Sequence, residues 1–246
     1  MDRLWVYMLC YNEELMLPYT LDYYSRYAER IFVYDNQSTD SSVAICSGYD
    51  KVKVISFNTR RLLNDKVFLR IKNNVWKKAR RKARYVAVID TDEIIYYKDG
   101  LDVLLDKAYD AGAALVRQPS AYTLYSARYS DPAEDFSLTP DNTSVYCTPY
   151  EGKLTIFSPE LKEINYGPGA HHHKPKGANL TEFEGGILFH YSHILGAKIM
   201  ARKYEDRISR MSRINKIRGW GTHYVNTYDD LLQQMQMATG KLSTIL

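Results

Sequence analysis

The sequence has few cysteines and no long apolar run. Its three cysteines, Cys10, Cys46 and Cys147, are odd in number and have no paired spacing, so neither a disulfide framework nor a zinc cluster is expected. No apolar segment approaches the ~20 residues that a membrane-spanning helix needs. The opening MDRLWVYMLCYNEE has an acid at position 2 and no small-residue cleavage site, unlike a secretion signal. We therefore expect a cytoplasmic protein with reduced thiols.

Several chemical signatures are also missing. There is no H-E-x-x-H motif, and of three consecutive histidines on an extended segment only His171 and His173 could share one ligand, so a zinc hydrolase is not expected. One of these histidines, with His171 as our candidate, could instead bind a phosphate or acceptor, or the segment could be an exposed polar loop. The absence of zinc-finger, KH and RNP signatures argues against a nucleic-acid partner.

The composition is that of an ordinary folded protein. Among 246 residues, 45% are hydrophobic and 25% are charged, which are average values for soluble globular proteins. This length suits one α/β domain with an appendage. We expect a main domain over residues 1–196, with halves at about 1–97 and 98–196, and a C-terminal helical extension over residues 197–246.

The first hundred residues alternate between strand and helix patterns. Apolar runs over residues 4–10, 31–34, 52–57 and 85–89 predict four strands, and helical spacing between them predicts three helices, the longest over residues 65–83. Such alternation predicts a mostly parallel central sheet with flanking helices. Farther along, we expect a helix over 102–111, strands over 114–117, 153–157 and 186–189, loops and edge strands over 122–150, and a last long helix over 197–218.

Polar clusters follow three of the four predicted strands. They read YNEE, DNQSTD and DTDE, and ligands of parallel sheets bind beyond the carboxyl ends of the strands. In the last cluster, Asp90 and Asp92 are separated by one residue, which suits Mg²⁺ or Mn²⁺ bridging to phosphate oxygens. Because YNEE contains no glycine, a nucleotidyltransferase with a Gly-rich phosphate loop is disfavoured.

At these motifs the chain resembles glycosyltransferase family 2 and its relatives with the GT-A fold. The motifs are CYNEE, VYDNQSTDSS and VIDTDE, joined by IKNNVWKKA, GAHHHKP and FHYSH, which resemble a bacterial and viral branch labelled family 2-like. The resemblance implies a Rossmann-like, GT-A-like α/β fold. It also implies transfer of a sugar from a nucleotide-diphosphate donor, with a UDP-sugar as the first candidate, to a glycan or lipid-linked acceptor. The expected reaction depends on Mn²⁺ or Mg²⁺ and inverts the configuration at the anomeric carbon.

The resemblance also assigns roles to individual residues. Those expected around the nucleotide sugar are Tyr11, Asn12, Glu14, Asp35, Lys72, Asn74 and Asp90. Those expected around the metal are Asp92, Asp90 and His190. His190 follows the predicted strand over 186–189, so we expect it at a strand end, where a neutral imidazole could bind a Mn²⁺-type ion.

The sequence departs from the family at the catalytic base. Ordinary inverting members carry a Glu-Asp pair ahead of the acceptor helix, and no such pair occurs in that region here. The nearest acids are Glu182 and Glu184, which become our candidates because an inverting transfer needs a carboxylate within reach of the acceptor hydroxyl.

Two segments are strongly basic. Residues 70–84 hold eight basic residues in fifteen, and residues 198–218 hold eight more. Each basic side chain near an acidic lipid surface contributes about 1 kcal/mol, so peripheral membrane contact through these helices is expected for a lipid-linked acceptor. Alternatively, the chain is a non-catalytic module on a degenerate α/β scaffold that binds nucleic acid or a membrane surface. Such a module would give Asp90 and Asp92 no functional role.

Overall fold

The structure is a computed structural model that describes residues 1–126, 145–149, 152–238 and 240–241. Its strands are β1 (Asp2–Cys10), β2 (Arg30–Asp35), β3 (Val52–Ser56), β4 (Ala83–Asp90), β5 (Glu93–Tyr96), β6 (Leu115–Arg117), β7 (Ser120–Ser126), β8 (Val145–Pro149), β9 (Ile156–Phe157), β10 (Glu182–Glu184), β11 (Ile187–His193) and β12 (Gly240–Lys241). Its helices are α1 (Leu17–Ser25), α2 (Ser42–Cys46), α3 (Asp65–Lys72), α4 (Leu101–Asp110), α5 (Ala197–Ser209), α6 (Arg213–Arg218) and α7 (Tyr228–Gln236). Short 3₁₀ turns cover Val75–Ala79, Pro168–Ala170 and Thr222–Val225.

The central sheet has seven described strands in the order β10-β6-β9-β4-β1-β2-β3. The neighbours β4, β1, β2 and β3 are parallel, β10 is parallel to β6, and β9 runs antiparallel to β4 and β6. This arrangement confirms the α/β class with a mostly parallel central sheet and flanking helices. It also brings the carboxyl ends of β1, β2 and β4, with their polar clusters, to one edge of the sheet.

The central strand β1 is buried on both faces. Leu4 and Val6 belong to a core that contains side chains from α1 and α4, whereas Trp5 and Tyr7 belong to a second core that contains Trp76. Successive side chains of a strand point to opposite faces, so a strand covered on both sides needs a continuous apolar run. The unbroken sequence LWVYMLC meets that requirement.

A second sheet has the described strand order β12-β8-β7-β11-β5. The region 122–150 was expected to form loops and edge strands, yet β7 lies inside this sheet, between β8 and β11. Residues 127–144 and 150 of that region lie outside the described residues. The expected strand over 186–189 continues to His193, so His190 lies within β11, paired with Glu93 and Thr123, and not at a strand end.

The helix expected over residues 65–83 stops at Lys72. The Asn73 side chain bonds the backbone of Tyr166, accepting from its N–H at 2.7 Å and donating to its carbonyl at 3.2 Å. The 3₁₀ turn that follows buries Trp76 edge-on against Phe157. These long-range contacts override the helical propensity of the segment, and Ala83 already begins β4.

The long helix expected over residues 197–218 is divided into α5 and α6. The backbone of Leu63 pairs with the chain between the two helices. Its N–H donates to the Arg210 carbonyl at 2.8 Å, and its carbonyl accepts from the Ser212 N–H at 3.0 Å. Ser212 then caps α6 by accepting from the Asn215 N–H. The expected helical extension is present, and its status as a separate domain stays a prediction. Within the described ranges, no helix is both long and apolar enough to cross a bilayer.

Candidate active site

Two loops at the carboxyl ends of β1 and β2 are tied together by polar contacts. Asn12 Oδ1 accepts from the Thr39 N–H at 2.8 Å, and the Asn12 N–H donates to Ser38 Oγ at 2.9 Å. Glu14 Oε2 accepts from the Ser41 N–H at 2.9 Å. These reciprocal bonds satisfy backbone groups that the loops would otherwise leave unpaired and hold both loops at the sheet edge.

Asp35 has a similar supporting position at the end of β2. Its buried carboxylate accepts from the Ser38 N–H at 3.2 Å. Neither Asp35, Asn12 nor Glu14 is among the residues that line the cavity described next. The neighbouring Asn36 does line it, and its Oδ1 accepts from both the backbone and the hydroxyl of Thr59. The nucleotide-binding roles of Asp35, Asn12 and Glu14 stay predictions.

A cavity of about 470 Å³ lies at this edge of the sheet. This volume is within the usual range for small-molecule sites. Of the residues predicted from the sequence, the cavity wall contains Tyr11, Lys72, Asp90, Asp92, His171 and His190. The rest of the wall includes Glu13, Asp65, Lys153 and side chains of the C-terminal helices. Distant parts of the sequence therefore meet around one space.

Asp90 sits within a cluster of four charges. Lys72 Nζ lies 2.5 Å from its Oδ1, and Lys153 Nζ lies 2.6 Å from its Oδ2. Lys153 Nζ is also 2.6 Å from Oε1 of Glu93, whose side chain is fully buried. Burial alone would raise the pKa of Asp90, but Lys153 and Lys72 outweigh it and hold the pKa well below its ordinary value.

The metal-binding role of Asp90 stays a prediction. Each of its two oxygens faces an ammonium group, so the two lysines supply the compensating charge. Lys153 was not expected at the site, because it is 63 positions from Asp90 and lies in a segment without a recognisable motif. Glu93 was visible as the last letter of DTDE, and its Oε2 accepts from the Asp90 N–H at 2.9 Å.

Asp92 forms a separate pair with His190. The distance between Asp92 Oδ2 and His190 Nε2 is 3.4 Å. Burial opposes both charges, but each partner outweighs it in the other, lowering the pKa of Asp92 and raising the pKa of His190. Ser192, two residues along β11, places its hydroxyl 2.7 Å from Nδ1 of His193.

A carboxylate oxygen and an imidazole nitrogen are suitable donors for Mn²⁺ or Mg²⁺. Their 3.4 Å separation is short enough for both to bind one ion. Among the described residues, no group of three or more histidine, cysteine and carboxylate side chains could hold a metal. Asp92 and His190 therefore supply two donors of the kinds that such an ion takes.

The C-terminal helices form another wall of the cavity. Lys203 Nζ lies 2.6 Å from Oε2 of the buried Glu13, and the Arg207 guanidinium lies 3.8 Å from its Oε1. Arg210 stacks 3.9 Å from the ring centre of Tyr11. The sequence held a signal for this wall, because Lys203 and Arg207 are four residues apart and therefore share one helix face.

Besides Asp35, Asn12 and Glu14, three further predicted residues do not line the cavity. Glu182 and Glu184 lie on β10, the edge strand of the central sheet, where Arg117 holds Glu182 through two bonds of 2.8 and 2.9 Å. Asn74 donates to the Arg70 carbonyl at 2.8 Å, next to the end of α3. None of the three is among the lining residues, so the structure offers no support for Glu182 or Glu184 as the base.

A model of the family described as Glycosyl transferase family 2 matches residues 5–144, which is more than half of the chain. The chain belongs to glycosyl transferase family 2. The motifs YNEE, DNQSTD and DTDE all lie in the matched segment. No curated protein matches the chain.

Solved structures with a similar arrangement include two of glucosyl-3-phosphoglycerate synthase from Mycobacterium tuberculosis. One is in complex with Mn²⁺, UDP and glucosyl-3-phosphoglycerate, at 18% identity and a TM-score of 0.32. The other is in complex with phosphoglyceric acid, at 18% identity and a TM-score of 0.33. In each case the match covers 48% of this chain and 43% of that chain, so the chain covers less than half of those structures.

A third similar structure is 4-diphosphocytidyl-2C-methyl-D-erythritol synthase from Anaerococcus prevotii DSM 20548. Its identity to this chain is 15% and the TM-score is 0.30. The match covers 64% of this chain and 70% of that chain.

Proposed function

We propose that this glycosyltransferase moves a sugar from a nucleoside-diphosphate sugar to a hydroxyl of a glycan or lipid-linked acceptor. A UDP-sugar is the first candidate for the donor. The observation that carries the proposal is the cavity itself. It lies at the carboxyl ends of β1, β2 and β4 and contains the Asp92–His190 pair together with the ammonium group of Lys72. Such a set of charges suits a diphosphate with a divalent cation.

Asp92 and His190 would hold Mn²⁺ or Mg²⁺. When bound, the ion would neutralise charge that develops on the leaving diphosphate. Asp90 would act differently, by positioning Lys72 and Lys153, since its oxygens lie within 2.6 Å of both ammonium groups. Among the described residues, the structure gives Lys72 Nζ a single polar partner, Asp90, which leaves further N–H groups of that ammonium for phosphate oxygens.

The transfer exchanges one bond for another. The acceptor oxygen forms a bond to the anomeric carbon, the bond from that carbon to the diphosphate oxygen breaks with its electron pair on the diphosphate, and the hydroxyl proton is released. The negative charge that results on the diphosphate is stabilised by positive charge fixed in the cavity before the reaction. The inverting outcome stays a prediction.

The acceptor side of the proposal includes peripheral membrane contact. The end of α6 carries Lys216, Ile217 and Arg218, all of which are exposed. A basic surface with an exposed apolar side chain suits an anionic lipid surface, where a lipid-linked acceptor would be found.

The proposal is tested by thermal unfolding with UDP, GDP and TDP, each with and without Mn²⁺. A ligand that binds only the folded state raises the midpoint, so we expect a larger rise with UDP and Mn²⁺ together than with either alone. In Asp92→Asn, the additional rise caused by Mn²⁺ should be lost, because the variant loses a charged ligand.

Asp50→Asn is the matched control, since Asp50 is exposed in the turn before β3 and lies outside the cavity. It should keep the full metal effect. If none of the three nucleotides shifts the wild-type midpoint with or without Mn²⁺, the proposed donor class is wrong. An unchanged metal effect in Asp92→Asn would contradict the metal role alone.

A further inference from the structure

One cation of the cavity lacks an adequate partner. The Arg207 guanidinium lines the cavity, and its side chain is 25% exposed there. Within the described part of the chain, its one ion-pair contact is the 3.8 Å approach to Glu13, which is longer than a hydrogen bond. Among the residues that the structure describes, none accepts a hydrogen bond from its five N–H donors.

The charge of Glu13 is already compensated. Lys203 lies 2.6 Å from its Oε2 and donates a hydrogen bond to it. Burial disfavours a charged guanidinium, but Tyr224, Glu13 and Asp92 outweigh burial and raise the pKa of Arg207 above its ordinary value. Arg207 therefore stays charged in the cavity, and a partly buried charge is costly unless hydrogen-bond acceptors, such as those of a ligand, compensate it.

Aromatic side chains pack around the Arg207 guanidinium. Its guanidinium lies 5.0 Å from the centre of the Tyr224 ring, and that ring stands edge-on to Tyr204 at 5.2 Å. His223 lies 4.0 Å from Tyr224, and its ring also faces the cavity. Burial and the neighbouring Arg207 lower the pKa of His223, so its ring is neutral at pH 7 and can donate a hydrogen bond without adding charge.

We propose that Arg207, with His223 and Tyr224, forms an oxyanion subsite that binds a phosphate group of a substrate. A planar guanidinium presents its donors in a fork that matches phosphate, and stacking on Tyr224 organises that fork before the ligand arrives. The phosphate could belong to the donor diphosphate or to an acidic acceptor. The inference rests on the proposed function, because it assigns part of the same cavity.

The test compares Arg207→Gln with wild type by isothermal titration calorimetry. Arg202→Gln is the matched control, because Arg202 lies exposed on the same helix, α5, and does not line the cavity. UDP and uridine are titrated first in the presence of Mn²⁺. Inorganic phosphate is then titrated both into nucleotide-free protein and into protein saturated with UDP. Arg207→Lys is included because it keeps the charge and loses the fork.

Two results support the subsite and identify the source of the phosphate. If the donor supplies it, Arg207→Gln should weaken UDP binding by about tenfold or more and leave uridine binding unchanged. If the acceptor supplies it, UDP binding should be unchanged, while binding of inorganic phosphate to the UDP complex is lost. In either case Arg207→Lys should give an intermediate loss, and Arg202→Gln should match wild type.

The subsite is rejected if Arg207→Gln binds UDP and inorganic phosphate as wild type does, or if Arg202→Gln shows the same loss. Circular dichroism and urea unfolding check that each variant is folded, and if Arg207→Gln is not, the comparison between Arg207→Lys and wild type decides. If wild-type protein binds inorganic phosphate through Arg207 but does not bind UDP, the subsite stands and the proposed donor class fails.

Discussion

At the scale of single residues, the main feature is how buried charges are compensated. Three carboxylates occur within four positions at the end of β4, and the charge of each is compensated by a different set of partners. Asp90 contacts Lys72 and Lys153, Glu93 contacts Lys153, and Asp92 contacts His190. Removing a partner from such a buried pair typically costs 3–5 kcal/mol, since an uncompensated charge remains. The metal site that we propose uses the Asp92–His190 pair.

His193 gives a prediction at this scale. Burial lowers its pKa from 6.5 to about 4, and the nearby His190 adds to the effect. Between pH 4 and 6.5 the unfolded chain binds a proton at His193 that the folded protein does not bind. The contribution of His193 to the free energy of unfolding is therefore fully present above pH 6.5 and is lost as the pH drops toward 4. The loss from this residue amounts to about 3 kcal/mol.

The measurement is urea unfolding of the metal-free protein between pH 4.5 and 7.5. His193→Gln should show a shallower decline of the free energy of unfolding on the acid side than wild type. His172→Gln replaces an exposed histidine and should retain the wild-type slope. Equal slopes in His193→Gln and wild type would show that His193 titrates normally in the folded state.

At the scale of elements, the short helix α6 is positioned by one buried side chain. Asn215 is fully buried and donates to Asp65 Oδ2 at 2.7 Å, while its Oδ1 accepts from the Asp65 N–H at 3.1 Å. These bonds fix one face of α6 against the start of α3. The exposed end of the helix then carries Ile217, 67% exposed, between two basic residues.

This arrangement predicts that α6 contributes to binding of anionic vesicles. The double variant Lys216→Gln/Arg218→Gln should weaken binding to phosphatidylserine-containing vesicles by about 2 kcal/mol, since each basic residue contributes about 1 kcal/mol. Co-sedimentation measures the effect, and added salt should reduce wild-type binding as well. Lys51→Gln/Lys53→Gln removes two exposed charges near β3 and should bind like wild type. Wild-type protein that ignores anionic vesicles would remove membrane contact from the proposal.

At the scale of the whole molecule, the cavity joins the two ends of the chain. Tyr11 and Lys72 come from the first half of the sequence, whereas Arg207 and Tyr224 come from the C-terminal helices. Hydrogen bonds of Leu63 and the Glu13–Lys203 pair connect the same two regions. A ligand in the cavity therefore contacts both regions at once.

Hydrogen exchange tests this connection. With UDP and Mn²⁺, exchange should slow in the loops after β1 and β4 and also in α5 and the turn Thr222–Val225, because ligand binding lowers the population of locally open states. Peptides from α4, which lies outside the cavity, provide the internal control and should be unchanged. Protection confined to residues 1–97 would mean that the C-terminal helices do not contact the ligand.

The sequence by itself determined the sheet and the edge at which the site lies. A continuous apolar run such as LWVYMLC requires a strand covered on both faces, and the polar clusters after β1, β2 and β4 mark the carboxyl ends. These signals are local, since each depends on neighbouring positions in the chain. The resemblance to the family assigned Asp92 and His190 to one metal site, and their side chains lie 3.4 Å apart, although His190 was expected at a strand end.

Only the tertiary structure decided which charges meet. Lys153 and Arg207 reach the cavity from segments far along the chain, and Glu182 is held at a sheet edge by Arg117. The helices expected over 65–83 and 197–218 are interrupted because Asn73 bonds to Tyr166 and Leu63 bonds across the α5–α6 break. Contacts between residues distant in sequence leave no periodic pattern, so their partners become apparent only when the chain is folded.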